Sequence, residues 1–338
     1  MRFLLDAGQR DFARSLHAML SAADTPAAVR AWAAGDSTPG RALWARLAGA
    51  GVFALAGPER HGGLGPLPVE LAVAFTELGR HAVPGPLVET VAAAVLLDRV
   101  GDDAVTGDLA EGIASGRTVA SLCLLSEARP FALDADAADA VLVVEGDTLR
   151  LAETTGPVQR SADPARRLAR PGPGPVLSRG DQVRAAAGQA ADVAALATAA
   201  QCLGLGRALL DATVSHARQR VQFGVPVGSF QAVKHRLADT LIGLEFARPL
   251  LYAAALALAA GEPGRGRMVS AAKVAAGEAA CAAARTALQI HGAVGYTAEF
   301  DLSLWIRKAR AVRDAWGTPA SHRARVLDPR RAAADEAE

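Results

Sequence analysis

Two short segments of this 338-residue chain carry residue types that could do chemistry. The first, RVQFGVPVGSFQAVKHRLAD at 220–239, sets Arg220, Gln222 and Gln231 around a Gly/Pro turn flanked by Phe223 and Phe230. The second, QIHGAVGYTAEFDLSLWIRKAR at 289–310, places Gln289 and His291 just before Gly292 and Gly295. A guanidinium is a planar fork of donors that suits the oxygens of a pyrophosphate. Glycines let backbone approach a ligand closely, and successive N–H groups in such turns form an anion nest. Spacing alone leaves two readings open: a pair of anion-binding loops, or plain interhelical turns with Arg220 as a C-terminal helix cap.

Other candidate residues have simpler accounts. Gly204-Leu205-Gly206 lies in an Ala-rich helical run with no strand before it, so it fails as a dinucleotide fingerprint and reads as close helix packing. His216 and His235 are expected partly buried in a helical bundle, and His61 solvated in its Gly-rich loop. Trp32, Trp305 and Trp316 read as core or interface anchors, and the Arg-rich tract at 165–170 as an exposed loop. Without CxxC or HExxH spacing, no metal is expected. Cys123, Cys202 and Cys281 are odd in number and far apart, which fits a reducing, cytoplasmic setting and excludes a disulfide framework. With 36 basic and 35 acidic residues and no basic stripe, nucleic acid has no electrostatic footprint. The N-terminal apolar stretch is too short for a signal peptide. No window of roughly 18 apolar residues escapes interruption by charge, Gly or Pro, so no membrane span is expected.

The elements that must position the two segments follow from periodicity. Phe12, Leu16, Met19 and Leu20 share a face of a helix over 7–23, and Leu43, Trp44 and Leu47 of one over 40–49. A Gly/Pro-dense loop at 57–68 precedes helices from Val69 to about Gly79, over 89–100 and, shorter, over 101–116. At Arg117 the period changes: 118–125 reads as a strand and 140–153 as a hairpin turning on Gly146-Asp147. Residues 154–180 read as loop. Long helices then fill 186–219, 231–260 (with Pro249 expected to kink it), 268–290 and 300–312. The chain thus reads as an N-terminal helical domain (1–117), a reduced middle β-domain (118–180), a C-terminal four-helix bundle (181–327), and a tail (328–338) expected to be disordered.

The two segments resemble the acyl-CoA dehydrogenase family. Its Arg-x-x-Phe-Gly-x-Pro turn and following Phe-Gln match Arg220, Phe223, Gly224, Pro226, Phe230 and Gln231, with His235, Leu237 and Ala238 beyond. Its Gln-x-His-Gly-Gly-x-Gly-Tyr-Thr stretch matches Gln289, His291, Gly292, Gly295, Tyr296 and Thr297, with Ala293 replacing the second of the paired glycines and Glu299 as the acid. Gly51, Leu55, Pro58, Glu59, Gly62, Gly63 and Gly65 fit the family's N-terminal pattern, as does ELGRHAVPGPL at 77–87. The resemblance spans about 40–325, the middle domain excepted. It implies a mainly α fold with a small β-domain, and an FAD lying between neighbouring subunits. It also implies that Arg220, Gln222, Phe223, Gln231, Gln289, Gly292 and Gly295 grip the ADP half of a flavin whose ring sits in the adjacent chain.

Two departures stand out. The family reaction removes the proton α to a thioester carbonyl while hydride leaves the β-carbon for flavin N5, so a carboxylate must reach the α-proton. Where most members carry Glu-Gly-Thr, this chain reads Trp316-Gly317-Thr318, and an indole N–H accepts no proton. The alternative position near the start of the first bundle helix holds Ala194, with Asp192 the nearby acid; Asp314 is the other possible substitute. Second, the family's Thr-Glu-Pro-x-x-Gly-Ser-Asp and Trp-Ile-(Thr/Ser) stretches, which surround the flavin ring, are missing between 118 and 180. The chain therefore resembles the base-lacking subunit of bacterial α2β2 acyl-CoA dehydrogenases, including those acting on steroid side chains. The expected partners are a catalytic acyl-CoA dehydrogenase subunit, an acyl-CoA bound through it, and electron-transfer flavoprotein as acceptor. A self-sufficient enzyme with a relocated base and a non-enzymatic scaffold are the competing readings.

Overall fold

A computed structural model describes residues 4–100, 104–126 and 129–328. The expected tail lies, from residue 329 on, outside them, as do the first three residues of the helix expected over 101–116. The elements are helices α1 (Ala7–Ser21), α2 (Thr25–Ala34), α3 (Thr38–Gly49), α4 (Pro68–Arg80), α5 (Leu87–Val100) and α6 (Ala104–Ala114). Strands β1 (Ala120–Leu124), β2 (Ala132–Leu133), β3 (Ala140–Glu145), β4 (Thr148–Leu151), β5 (Gln159–Arg160), β6 (Arg167–Ala169) and β7 (Val176–Arg179) follow. Then come α7 (Asp181–Gln219), the short strands β8 (Val221–Gln222) and β9 (Val225–Pro226), and helices α8 (Gln231–Ala259), α9 (Arg265–His291), α10 (Leu302–Asp314) and α11 (Pro319–Leu327). The fold is mainly α with a small β-part, as expected. α8 runs unbroken through Pro249.

These elements form two compact units, each discontinuous in sequence. One comprises residues 27–71 and 83–194. Its four-stranded sheet has the order β1-β3-β4-β7, with β1 and β3 parallel and the rest antiparallel; a three-stranded sheet has the order β2-β6-β5. The β3–β4 hairpin turns on Gly146-Asp147 as its sequence predicts: Glu145 pairs Thr148, and Gly146 has φ +62°. Cys123, Ala132, Ala135, Val141, Val143 and Ala169 pack as its β-core. The Thr90 hydroxyl of α5 donates to Ala120 O at 2.6 Å, fixing that helix to β1.

Residues 154–180 are not a plain loop, because β5, β6 and β7 lie there. Strands of two to four residues are too short to display alternation, and pairing rather than pattern creates them. The Arg-rich tract is likewise part of β6, where Arg167 N donates to buried Asp134. His61 is buried rather than solvated, at 8 % exposure, and His235 is exposed. The sequence also concealed α2 and α11, both short and weakly patterned.

The other unit comprises residues 1–26, 72–82 and 195–338. α1 begins with a capping box, Asp6 and Gln9 each accepting from the other's backbone N–H. α4 and α7 cross so closely that a Cβ on Gly79 would strike Gln201 backbone, and one on Gly204 would strike Thr76 and Arg80 backbone. Gly206 faces Leu244 of α8 and Ala280 of α9. The Gly-Leu-Gly run is thus packing, as read from its context. α7 and α8 are long and apolar enough to cross a membrane by length and composition alone, the apolar window of α8 being 33 % buried. The apolar window of α7, however, is 78 % buried inside the protein.

Candidate functional site

α7 ends at Gln219, and the chain turns at once into a two-stranded arm. Val221 pairs Pro226 and Gln222 pairs Val225, leaving Phe223-Gly224 as a two-residue turn. Both turn residues have positive φ, +52° and +81°, the signature of a type I′ turn. Asn-Gly normally occupies such a turn; a bulky Phe there is strained. Yet Phe223 is 93 % exposed, its ring set edge-on to Phe230 at a centroid separation of 6.2 Å. The arm closes when Val227 N donates to Arg220 O at 2.8 Å.

α9 carries the second segment. It ends at Gly292 (φ +67°), followed by a 3-10 turn over Gly292–Tyr296. One contact ties the two segments together: the rings of His216, in the last turn of α7, and His291, at the end of α9, stack at 4.1 Å. His291 Nδ1 is held 2.8 Å from Ala287 O. Burial, with help from the neighbouring His291 and Arg220, holds His216 below the usual imidazole range. The sequence marks His216 only as a bundle residue and His291 as a member of the second segment; their stack is a tertiary contact with no local signal.

Arg220, Gln222, Phe223, Gln231, Gln289 and Gly292 are all exposed; Gly295 alone is buried, with Leu288 and His291 where its Cβ would stand. Apart from Gln222, whose amide donates to its neighbour Val221 O, the polar side chains of this set make no hydrogen bond among the described residues. A forked cation, three amides and a glycine turn with accessible backbone suit a nucleotide diphosphate. The donor set therefore fits the ADP half of a flavin.

Beyond the end of α10, Trp316 also has positive φ, +56°, and Gly317 follows at +120°. Here the strained backbone is clamped from within. The His322 ring lies 3.1 Å from Trp316 O and 3.0 Å from Ser270 Oγ, and a Cβ on Gly317 would run into that ring. Buried Lys273 donates to Val312 O and Arg313 O, capping α10 just before the turn. The turn thus holds the Trp316 carbonyl in place. Asp314 is exposed and committed to Arg313 at 3.1 Å, and Asp192 is buried in the other unit.

Family models describe both ends of the chain: the acyl-CoA dehydrogenase N-terminal domain matches residues 6–117, and the C-terminal domain residues 184–328. This chain belongs to the acyl-CoA dehydrogenase family. Acyl-CoA dehydrogenase IpdE2 of Mycolicibacterium smegmatis is 34 % identical over 297 residues, covering 87 % of this chain and 90 % of the relative. Butyryl-CoA dehydrogenase from Megasphaera elsdenii shares the fold with a TM-score of 0.83 at 22 % identity, over 96 % of this chain and 98 % of that one. The ChsE4-ChsE5 complex from Mycobacterium tuberculosis gives 0.82 at 24 %, over 96 % and 98 %. Membership makes the chain a flavoenzyme-type oxidoreductase of acyl-CoA thioesters, and the family fold implies FAD.

Proposed function

We propose that this chain is one subunit of a heteromeric FAD-dependent acyl-CoA dehydrogenase, in which it offers the ADP-binding half of a flavin site to a catalytic partner. The observation that carries the reading is the arm. Arg220, Gln222, Phe223, Gln231 and Gln289 all face outward, and a strained Phe is presented to solvent. Residues kept in that state suit a ligand held jointly with another chain. In support, the base position holds Trp316, and the same fold occurs in a two-protein complex, ChsE4-ChsE5.

When bound, the flavin supplies the hydride-accepting N5. The residues of this chain do the holding: Arg220 binds the pyrophosphate as a fork, and the amides of Gln222, Gln231 and Gln289 orient the nucleotide. Trp316 excludes acyl substrate and water from the place where this chain would otherwise react. Proton removal falls to a carboxylate of the partner, which also binds the acyl-CoA, and electron-transfer flavoprotein takes the electrons.

The test is expression alone and together with a catalytic acyl-CoA dehydrogenase subunit encoded beside it, followed by sizing and a visible flavin spectrum. The chain alone should be colourless and inactive, and the co-purified complex yellow and active. Arg220→Ala should strip flavin from that complex. A yellow, active homo-oligomer would overturn the proposal, and loss of its turnover on Asp314→Asn or Asp192→Asn would establish a relocated base.

A further inference from the structure

A second cluster lies well away from the sequence motifs. His17 on α1 meets Glu77 and His81, which stand four residues apart at the end of α4, so both project from one helix face. His17 Nδ1 is 3.2 Å from Glu77 Oε2 and 3.0 Å from His81 Nε2, and one ligand atom from each of the three residues lies within 4.8 Å of the others. No spacing rule finds this set, because α1 and α4 are brought together only by folding.

Hydrogen bonding does not complete the cluster. His17 Nδ1 carries at most one proton and faces both Glu77 Oε2 at 3.2 Å and His81 Nε2 at 3.0 Å, so it cannot serve both, and Glu77 is only 9 % exposed. An unpaired buried carboxylate oxygen is costly. A cation at the centre would satisfy all three groups at once. In a tetrahedral site with metal–ligand distances near 2.0–2.1 Å, neighbouring ligand atoms stand about 3.3 Å apart, close to the two separations seen here.

We infer that His17, Glu77 and His81 form a binding site for a divalent transition-metal ion of the zinc type. Two imidazoles and one carboxylate leave a fourth position for water, a ligand set that zinc favours. His17 Nε2 turns away toward Ser21 Oγ at 3.5 Å, leaving Nδ1 for the ion. Arg80 is the opposing cation, and its guanidinium is drawn off to Asp211 at 3.3 Å.

The experiment takes the tag-free full chain, strips it with chelator, and titrates it with Zn²⁺ by calorimetry, with Co²⁺ absorption as a second probe of tetrahedral coordination. One Zn²⁺ per chain, a higher melting temperature with zinc and intense Co²⁺ bands are expected. His17→Gln should weaken binding at least tenfold; because the His17 side chain is 40 % exposed, that variant keeps the fold, checked by circular dichroism. His17→Gln/His81→Gln should abolish binding. No uptake by the folded wild type, or equal uptake by the folded double variant, would overturn the assignment. Flavin content plays no part in either outcome.

Discussion

Phe223 and Trp316 break the same backbone rule in opposite ways. Both are large aromatic residues at φ near +50°, in one compact unit, beside a glycine of positive φ. Trp316 is clamped by the chain itself: His322 grips its carbonyl, Ser270 orients His322, and Lys273 caps the helix before it. Among the described residues no hydrogen bond grips the Phe223 carbonyl in this way, and the residue is 93 % exposed. Left-handed backbone at a bulky residue costs on the order of 1–3 kcal/mol. Where the chain offsets that cost internally, the strain fixes an element of its own architecture. Where it does not, the strained residue is what the proposed contact with another chain would account for.

The sharpest way to break this contrast is on the Trp316 side. Gly317→Ala adds a Cβ into the His322 ring at φ +120°, and should destabilise the chain by about 3 kcal/mol in a denaturant titration. His322→Ala removes the contacts to Trp316 O and Ser270 Oγ and should cost roughly 2 kcal/mol by the same measurement. On the arm, Gly224→Ala meets no neighbouring atom, so only its φ of +81° is penalised: about 1 kcal/mol is expected. Equal losses for the two glycine variants would erase the distinction.

Phe223→Asn should leave the isolated chain as stable or up to about 1 kcal/mol more stable, since Asn accepts left-handed backbone, while lowering flavin retention in the complex. A loss of stability would mean that Phe223 serves the fold. The smallest effect is a pH slope. His216 titrates below its unfolded value, so the native state binds fewer protons. Stability should therefore fall as pH drops through and just below the ordinary histidine range, and His216→Asn should flatten that part of the curve.

Much of this was legible along the chain. The long helices announced themselves by apolar spacing, and the β3–β4 hairpin by Gly146-Asp147. The set proposed to hold the nucleotide was visible because Arg220, Gln231, Gln289 and their glycines sit in contiguous motifs. The replacement of the family's Glu by Trp316 was visible too, because Trp316-Gly317-Thr318 is a recognisable tripeptide. β5, β6 and β7 were not legible, since two to four residues hold too little pattern to reveal a strand.

The sequence by itself determined the family, the helical periods and the chemical identity of the residues at Arg220, Gln289 and Trp316, because each is written in local spacing. Tertiary structure alone decided that His216 stacks on His291, that His61 is buried, that Phe223 is left in water while Trp316 is clamped, and that His17 meets Glu77 and His81. The physical reason is one of range. Backbone periodicity and turn chemistry act over a few residues, whereas burial and the meeting of distant side chains depend on how helices cross. At Gly79 and Gly204 that crossing is set by the want of a single Cβ.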